Sequence, residues 1–174
     1  MNKKLLKNKY VFVDMDGTIA EFLFDGKVDY GLREAKPGVF LRSRPIKSVI
    51  NTLRKSKAAE LYICGAVDSY EYIKEKYQWL KEHCSNLNFS EFYWFIPDDK
   101  WDVFVNNFKE GKVEGTSMIL TKYGRITKGE KTQMWSYLNN KIIKDTVFID
   151  DHHPYLKETL RQGVQAYHPS VFVK

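Results

Sequence analysis

Two pairs of acidic residues stand directly after short apolar runs in this chain. Asp14 and Asp16 follow the run 10–13, and Asp150 and Asp151 follow a second run of β-forming residues. Carboxylates at the tip of a buried strand are costly unless something binds them there. Because the carboxyl ends of parallel strands meet at one edge of a sheet, we expect the two pairs to converge.

Converging carboxylates repel one another, by about 4 kcal/mol for each close pair at an effective dielectric constant of about 20. A divalent cation removes that repulsion, and a cluster of oxygen ligands favours Mg²⁺ over zinc. The sequence therefore predicts a magnesium site formed by the two acidic strand ends. Gly17 and Thr18, which follow the first pair, add a flexible turn and a hydroxyl group.

Segments with strand character alternate with segments of helical spacing along the chain. We predict strands at 10–13, 60–64, 91–96, 145–149 and 164–167, and helices that begin at Pro45, Asp68, Asp98 or Asp99, Glu130 and Pro154. The alternation predicts one α/β domain over residues 1–174, a three-layer Rossmann-like fold with a central parallel sheet and helices on both faces. We expect 19–43 to form a flap or minimal cap and 111–128 a hairpin insertion, with strands at 117–120 and 125–127.

The composition is that of an ordinary globular domain, with 174 residues, 43% hydrophobic, 29% charged and a net charge of +6. The positive charge is compatible with a phosphate-bearing substrate or with nucleic acid, but lysines solvated on helix faces are the favoured explanation for most of the 28 basic residues. Cys64 and Cys84 have no metal-type spacing and form no disulfide framework, so we predict a cytoplasmic protein. No stretch approaches the roughly 20 apolar residues of a membrane span, so we expect no membrane partner.

Asp14, Asp16 and Thr18 stand in the order Asp-x-Asp-Gly-Thr, which resembles motif I of the haloacid dehalogenase (HAD) superfamily, and Asp150 and Asp151 resemble its motif IV. The resemblance implies that Asp14 is a nucleophile that forms an aspartyl-phosphate and that Asp16 is the general acid and base. It also implies that Mg²⁺ is bound by the carboxylates of Asp14 and Asp150 and by the backbone carbonyl of Asp16. Asp151 would bind the ion through a water molecule or hold the direct ligands in place. Thr18 would help to orient the phosphoryl group.

A HAD enzyme also uses a lysine near the start of the helix before the motif IV strand, and its ammonium group offsets the charge of the phosphoryl group. Lys131 is our first candidate for this catalytic and phosphate-binding role, and Lys128 is the second. A surface position is the usual place of a lysine and is the alternative for both.

The end of the second strand departs from the HAD pattern. The surrounding sequence is similar to the 5'(3')-deoxyribonucleotidases, including the stretch 75–79 (Glu-Lys-Tyr-Gln-Trp) in the following helix. In those enzymes this strand ends in Thr-Ser, whose hydroxyl groups bind phosphate, whereas here Gly65 and Ala66 stand in their places. A backbone amide at Gly65 is then expected to bind the phosphate. Loss of one such donor costs about 2.7–4 kcal/mol of transition-state stabilisation by analogy with an oxyanion hole.

The residues and the resemblance together predict a magnesium-dependent phosphomonoester hydrolase that acts on a small phosphorylated substrate, such as a nucleoside monophosphate. One alternative is a catalytically weakened HAD domain that binds a phospho-ligand or a protein partner, and another is a phosphatase of polynucleotide ends. His152 and His153 follow the second acid pair and either reach the mouth of the site or form a polar turn.

Overall fold

The computed structural model of the 174-residue chain describes residues 3–22, 38–109, 118–122 and 127–173. Its strands are β1 (Tyr10–Val13), β2 (Glu60–Ala66), β3 (Phe89–Ile96), β4 (Met118–Lys122), β5 (Thr146–Ile149) and β6 (Gln165–Tyr167). They form one sheet of six strands in the order β4-β3-β2-β1-β5-β6, and every neighbouring pair is parallel. The predicted α/β class with a central parallel sheet is confirmed.

Within the described ranges, five α-helices connect these strands: α1 (Lys47–Lys55), α2 (Tyr70–His83), α3 (Trp101–Lys109), α4 (Lys128–Leu138) and α5 (His153–Arg161). Among the residues described, no helix is both long enough and apolar enough to span a membrane.

The two faces of the sheet carry separate hydrophobic cores, because successive side chains of a strand point to opposite faces. On one face, Val13, Ile63 and Trp94 pack with α1 and α2, and Phe104 of α3 belongs to the same cluster. On the other face, aromatic side chains of β1, β2, β3 and β5 pack with α4 and α5. Burial on both faces explains why the strands are apolar runs without alternation.

The strand register sets the two acidic strand ends side by side. Val13, the last residue of β1, pairs with Ile63 on β2 and with Ile149, the last residue of β5. Asp14 and Asp150 therefore follow at the same level. β2 lies on one side of β1 and β5 on the other, so the strand order changes direction here, and ligands of such sheets bind at this point.

The five described helix starts differ from the predicted ones by one to three residues, and α2 and α4 show the local cause. The cap of α2 is Ser69 and not Asp68, since Ser69 Oγ accepts a hydrogen bond from Tyr72 N at 3.3 Å. The helix α4 begins at Lys128 and not at Glu130, because Thr127 and Glu130 form a capping box at its N-terminus.

The sequence predicts that Met134, Trp135 and Leu138 lie on the buried face of α4, which is wrong for two of the three. Trp135 is buried as expected, but Met134 and Leu138 are 42% and 79% exposed. The helix buries polar residues instead, among them Thr132 and Ser136.

Within the predicted hairpin region 111–128 the structure describes residues 118–122 as an edge strand of the main sheet, and the hairpin itself stays a prediction. β4 pairs in parallel with β3 through Phe92 and Met118 and the residues that follow them. Of the predicted return strand 125–127, Thr127 caps α4 and the rest lies outside the described residues, as do residues 23–37 of the predicted flap.

Candidate active site

Asp14 and Asp150 form the centre of the site at the carboxyl ends of β1 and β5. The backbone amide of Asp14 donates a hydrogen bond to the carbonyl of Ile149 at 2.8 Å, which ties the two strand ends together. Both carboxyl residues are buried, Asp14 with 5% and Asp150 with 1% of its surface exposed. Two carboxylates this close and this deep require positive charge beside them.

That positive charge comes from Lys128, the first residue of α4. Its Nζ donates to Asp14 Oδ1 at 2.6 Å and to Asp150 Oδ2 at 3.1 Å, and the residue is 4% exposed. Lys131, the first candidate from the sequence, lies elsewhere, with its Nζ 5.5 Å from the ring centre of Tyr93. The correction follows from the start of α4, because the capping box makes Lys128 the residue whose side chain points at the strand ends.

The electrostatics of this cluster strongly favour the arrival of more positive charge. Burial, with repulsion from Asp150 and Asp16, raises the pKa of Asp14 from 3.8 to about 7, although Lys128 opposes the shift. Burial likewise raises the pKa of Asp150, against the pull of Lys128 and of the His152 backbone amide. Burial alone would lower the pKa of Lys128, but attraction to Asp14 and Asp150 raises it above its ordinary value. One ammonium group therefore does not neutralise the cluster.

Asp151 completes a set of residues that fits a divalent cation. One carboxylate oxygen from each of Asp14, Asp150 and Asp151 lies within 4.8 Å of the others. Burial and the charge of Asp14 raise the pKa of Asp151. The Asp151 carboxylate lies directly against Gly17, where a Cβ atom would overlap with its oxygen Oδ2. An all-oxygen donor set with excess negative charge is the chemistry that suits Mg²⁺.

Asp16 faces a partner that the sequence reasoning missed. Its Oδ2 forms an ion pair with Nζ of Lys76, a residue of α2 with no exposed surface, and the Asp16 side chain is 17% exposed. The signal was present in the sequence, because Lys76 stands at helical spacing from the buried residues Ile73 and Leu80. A lysine on the apolar stripe of a helix should have been expected to have a buried partner.

Gly65, Ala66 and Thr18, which the sequence predicts to bind phosphate, differ in their burial and in their contacts. Gly65 is buried, and Trp94 of β3 lies over it, 3.0 Å from the position that a Cβ atom would take. Ala66 is partly exposed and its carbonyl accepts a hydrogen bond from Lys76 Nζ at 3.0 Å. Thr18 is fully buried and its hydroxyl has no hydrogen-bond partner among the described residues, so its role toward a phosphoryl group stays a prediction.

His152 supports the site through its backbone and not through its ring. Its amide donates to Asp150 Oδ1 at 2.8 Å, and its ring lies 4.4 Å from that of Tyr155. The ring of His153 stacks on His168 at 5.1 Å. Both histidines are exposed at the start of α5, which agrees with the polar-turn interpretation.

The site brings together a carboxylate beside an ammonium group, a second carboxylate with a lysine partner, and a set of oxygen donors for a cation. Such a set can attack an electrophilic centre, transfer a proton and stabilise developing negative charge. No protein-family model, curated protein or solved structure matches the chain.

Proposed function

We propose that this protein is a magnesium-dependent phosphomonoester hydrolase of the HAD type, acting through an aspartyl-phosphate on Asp14. The observation that carries the proposal is the position of Lys128. Its ammonium group contacts both Asp14 and Asp150 at the edge of the sheet, at the point where the strand order changes direction. A buried carboxylate nucleophile needs such a group, since the phosphoryl substrate also carries negative charge.

The proposed reaction has two steps. Asp14 attacks phosphorus and forms an oxygen–phosphorus bond, while the bond from phosphorus to the leaving oxygen breaks and Asp16 gives that oxygen its carboxyl proton. Water then attacks phosphorus and gives a proton to the Asp16 carboxylate, and the Asp14 carboxylate is released with inorganic phosphate. Asp16 is thereby ready to act as an acid again, so the cycle is closed.

The protein's own groups prepare Asp14 for this attack. Lys128 holds Oδ1 and favours the charged form of the carboxylate, and the Asp14 amide bonded to Ile149 fixes the backbone. Mg²⁺ held by Asp14, the Asp16 carbonyl, Asp150 and Asp151 would neutralise the carboxylates and the phosphoryl oxygens. With Gly65 and Ala66 in place of hydroxyl residues, Lys128 is, among the described residues, the principal cation that faces the transferred group.

The substrate class is a small phosphomonoester, and the resemblance to the deoxyribonucleotidases makes nucleoside monophosphates the first compounds to test. The experiment measures phosphate release from an aryl phosphate and from a panel of nucleoside monophosphates, with Mg²⁺ or with a chelator. We expect turnover that requires Mg²⁺ and is lost in Asp14→Asn. Asp145→Asn is the matched control, since Asp145 is a partly exposed partner of Lys9 outside the site. Turnover that survives in Asp14→Asn would contradict the proposal.

A domain that binds a phospho-ligand without turnover is the second candidate, and the absence of a hydroxyl at Gly65 and Ala66 favours it. Titration calorimetry with inorganic phosphate and Mg²⁺ distinguishes the two, because this candidate requires binding by a folded protein that has no turnover. A polynucleotide substrate would instead give binding that weakens steeply as salt rises.

A further inference from the structure

Lys76 is a lysine without exposed surface at the edge of the proposed site. Its Nζ forms the ion pair with Asp16 Oδ2, donates to the carbonyl of Ala66 at 3.0 Å and lies 4.6 Å from the centre of the Phe40 ring. These contacts surround the ammonium group with one charged acceptor, one neutral acceptor and one aromatic face. They also join the end of β1 to the end of β2.

The helix that carries Lys76 is itself fixed to the segment before α1. Glu75 accepts hydrogen bonds from the backbone amides of Gly38 at 2.6 Å and Phe40 at 3.3 Å. Trp79 Nε1 donates to the carbonyl of Ser43 at 2.7 Å. Lys76 thus projects from a helix that is anchored on either side of it, and its ammonium group has little freedom to leave Asp16.

The two partners of this ion pair differ in their exposure to solvent. Lys76 is enclosed, whereas Asp16 keeps part of its side chain exposed at the strand end. An ammonium group has only donors, so Oδ2 is the acceptor in this contact. Oδ1 is therefore the Asp16 oxygen that Lys76 does not hold.

We propose that Lys76 is a positioning residue that holds Asp16 by Oδ2 and so presents Oδ1 to the leaving oxygen of the substrate. The inference rests on the proposed function of Asp16 as general acid. Lys76 also holds the Ala66 carbonyl, at the strand end that carries no hydroxyl, so this one side chain sets the distance between the acid and that strand end.

The test uses the dependence of kcat/KM on the leaving group, measured with nitrophenyl phosphate and phenyl phosphate. The nitrophenolate leaves without much help from an acid, whereas the phenolate needs a well-placed proton. We expect Lys76→Met to lower kcat/KM for phenyl phosphate by about 10- to 100-fold. The loss for nitrophenyl phosphate should be several times smaller, and Mg²⁺ affinity should be unchanged.

Lys74→Met is the matched control, because Lys74 lies on the same helix and contacts the ring of Tyr70 from an exposed position. In an Asp16→Asn background, Lys76→Met should cause no further loss, since a residue that acts through Asp16 has nothing left to position. If the Met variant does not fold, Lys76→Gln keeps an N–H donor and should show the same leaving-group pattern with a smaller loss.

The outcomes separate this inference from the proposed function. Equal losses on both substrates, or a loss that adds to that of Asp16→Asn, would overturn the positioning role while wild-type turnover still supports the phosphatase. Absence of turnover from the folded wild-type protein with Mg²⁺ would overturn both.

Discussion

Lys128 and Lys76 are two buried lysines that reach neighbouring strand ends from opposite faces of the sheet. Lys128 starts α4 and lies between Asp14 and Asp150, which are 5% and 1% exposed. Lys76 belongs to α2 and meets a single carboxylate, on Asp16, whose side chain is 17% exposed.

The difference in partners implies a difference in role. Asp14 and Asp150 are shielded from bulk water, so removal of Lys128 leaves two buried negative charges. Asp16 is partly exposed at the strand end, so water can solvate its carboxylate when Lys76 is removed. We therefore expect Lys128 to be required for charge balance and Lys76 for the orientation of Asp16.

The largest effect is expected from Lys128→Met. Breaking a buried ion pair by removing one partner costs about 3–5 kcal/mol, and here two carboxylates lose the same partner. We expect a loss of this size in the free energy of unfolding, measured by urea denaturation at neutral pH in a chelator, together with loss of phosphatase turnover.

Lys131→Met is the matched control on the same helix. Lys131 contacts the ring of Tyr93 and lies in no described ion pair, so the loss should be about 0.5–1 kcal/mol. Equal effects of the two substitutions would contradict the assignment of Lys128 as the lysine of the site.

Gly17→Ala should have the next largest effect. Gly17 has φ +75°, and a Cβ atom there would overlap with Asp151 Oδ2. The substitution must displace Asp151 from the carboxylate cluster as well as strain the backbone, so we expect a loss of about 2–4 kcal/mol and weaker Mg²⁺ binding by calorimetry.

Gly38→Ala provides the comparison, because Gly38 has φ +81° but no atom within 4 Å of the position that a Cβ atom would take. It should cost only the backbone strain, about 1 kcal/mol, with unchanged Mg²⁺ affinity. If Gly17→Ala also left Mg²⁺ affinity unchanged, Asp151 would not belong to the cation site.

The two acidic strand ends could be predicted from the sequence because their pattern is local. An apolar run that stops at paired acids predicts both the strand and the charged tip, and the parallel sheet follows from alternation of strands and helices. The strand register then brings Asp14 level with Asp150, as expected.

The lysines could not be assigned in this way because each depends on a detail of three-dimensional packing. The choice of Lys128 over Lys131 follows from the capping box at Thr127, which moves the start of α4 by two residues. Lys76 was overlooked because lysines are usually exposed, and only the structure shows Asp16 beside it. The glycine at position 65 likewise has its reason in Trp94, a neighbour on another strand.

The dependence of folding stability on pH should report the charge of the carboxylate cluster in the absence of Mg²⁺. The pKa of Asp14 is raised from 3.8 to about 7 in the folded protein, so the folded state retains a proton that the unfolded chain has released. Stability that is present below pH 3.8 is therefore lost as pH rises through about 7. Asp150 and Asp151 shift in the same direction.

Urea denaturation across this pH range in a chelator should show the fall, and Asp14→Asn should make it shallower. Saturating Mg²⁺ should also make it shallower, because a bound cation favours the charged carboxylates. A stability that rose with pH in the chelator would contradict the charge balance inferred for Asp14 and Lys128.

The smallest effect is expected from Ala66→Ser, which adds a hydroxyl group at the strand end whose carbonyl Lys76 binds. Ala66 packs at the edge of the core on the α4 face, the face from which Lys128 arrives. A new donor to a charged phosphoryl oxygen contributes about 1.5 kcal/mol at the low end of its range, so kcat/KM on an aryl phosphate should rise about tenfold. Gly65→Ser faces Trp94 instead, and it should lower stability by about 1–3 kcal/mol without a gain in rate. A gain in rate from Gly65→Ser but none from Ala66→Ser would contradict this expectation. It would mean that the hydroxyl group is needed on the α2 face of the sheet, where the Lys76 side chain would be the group that replaces it.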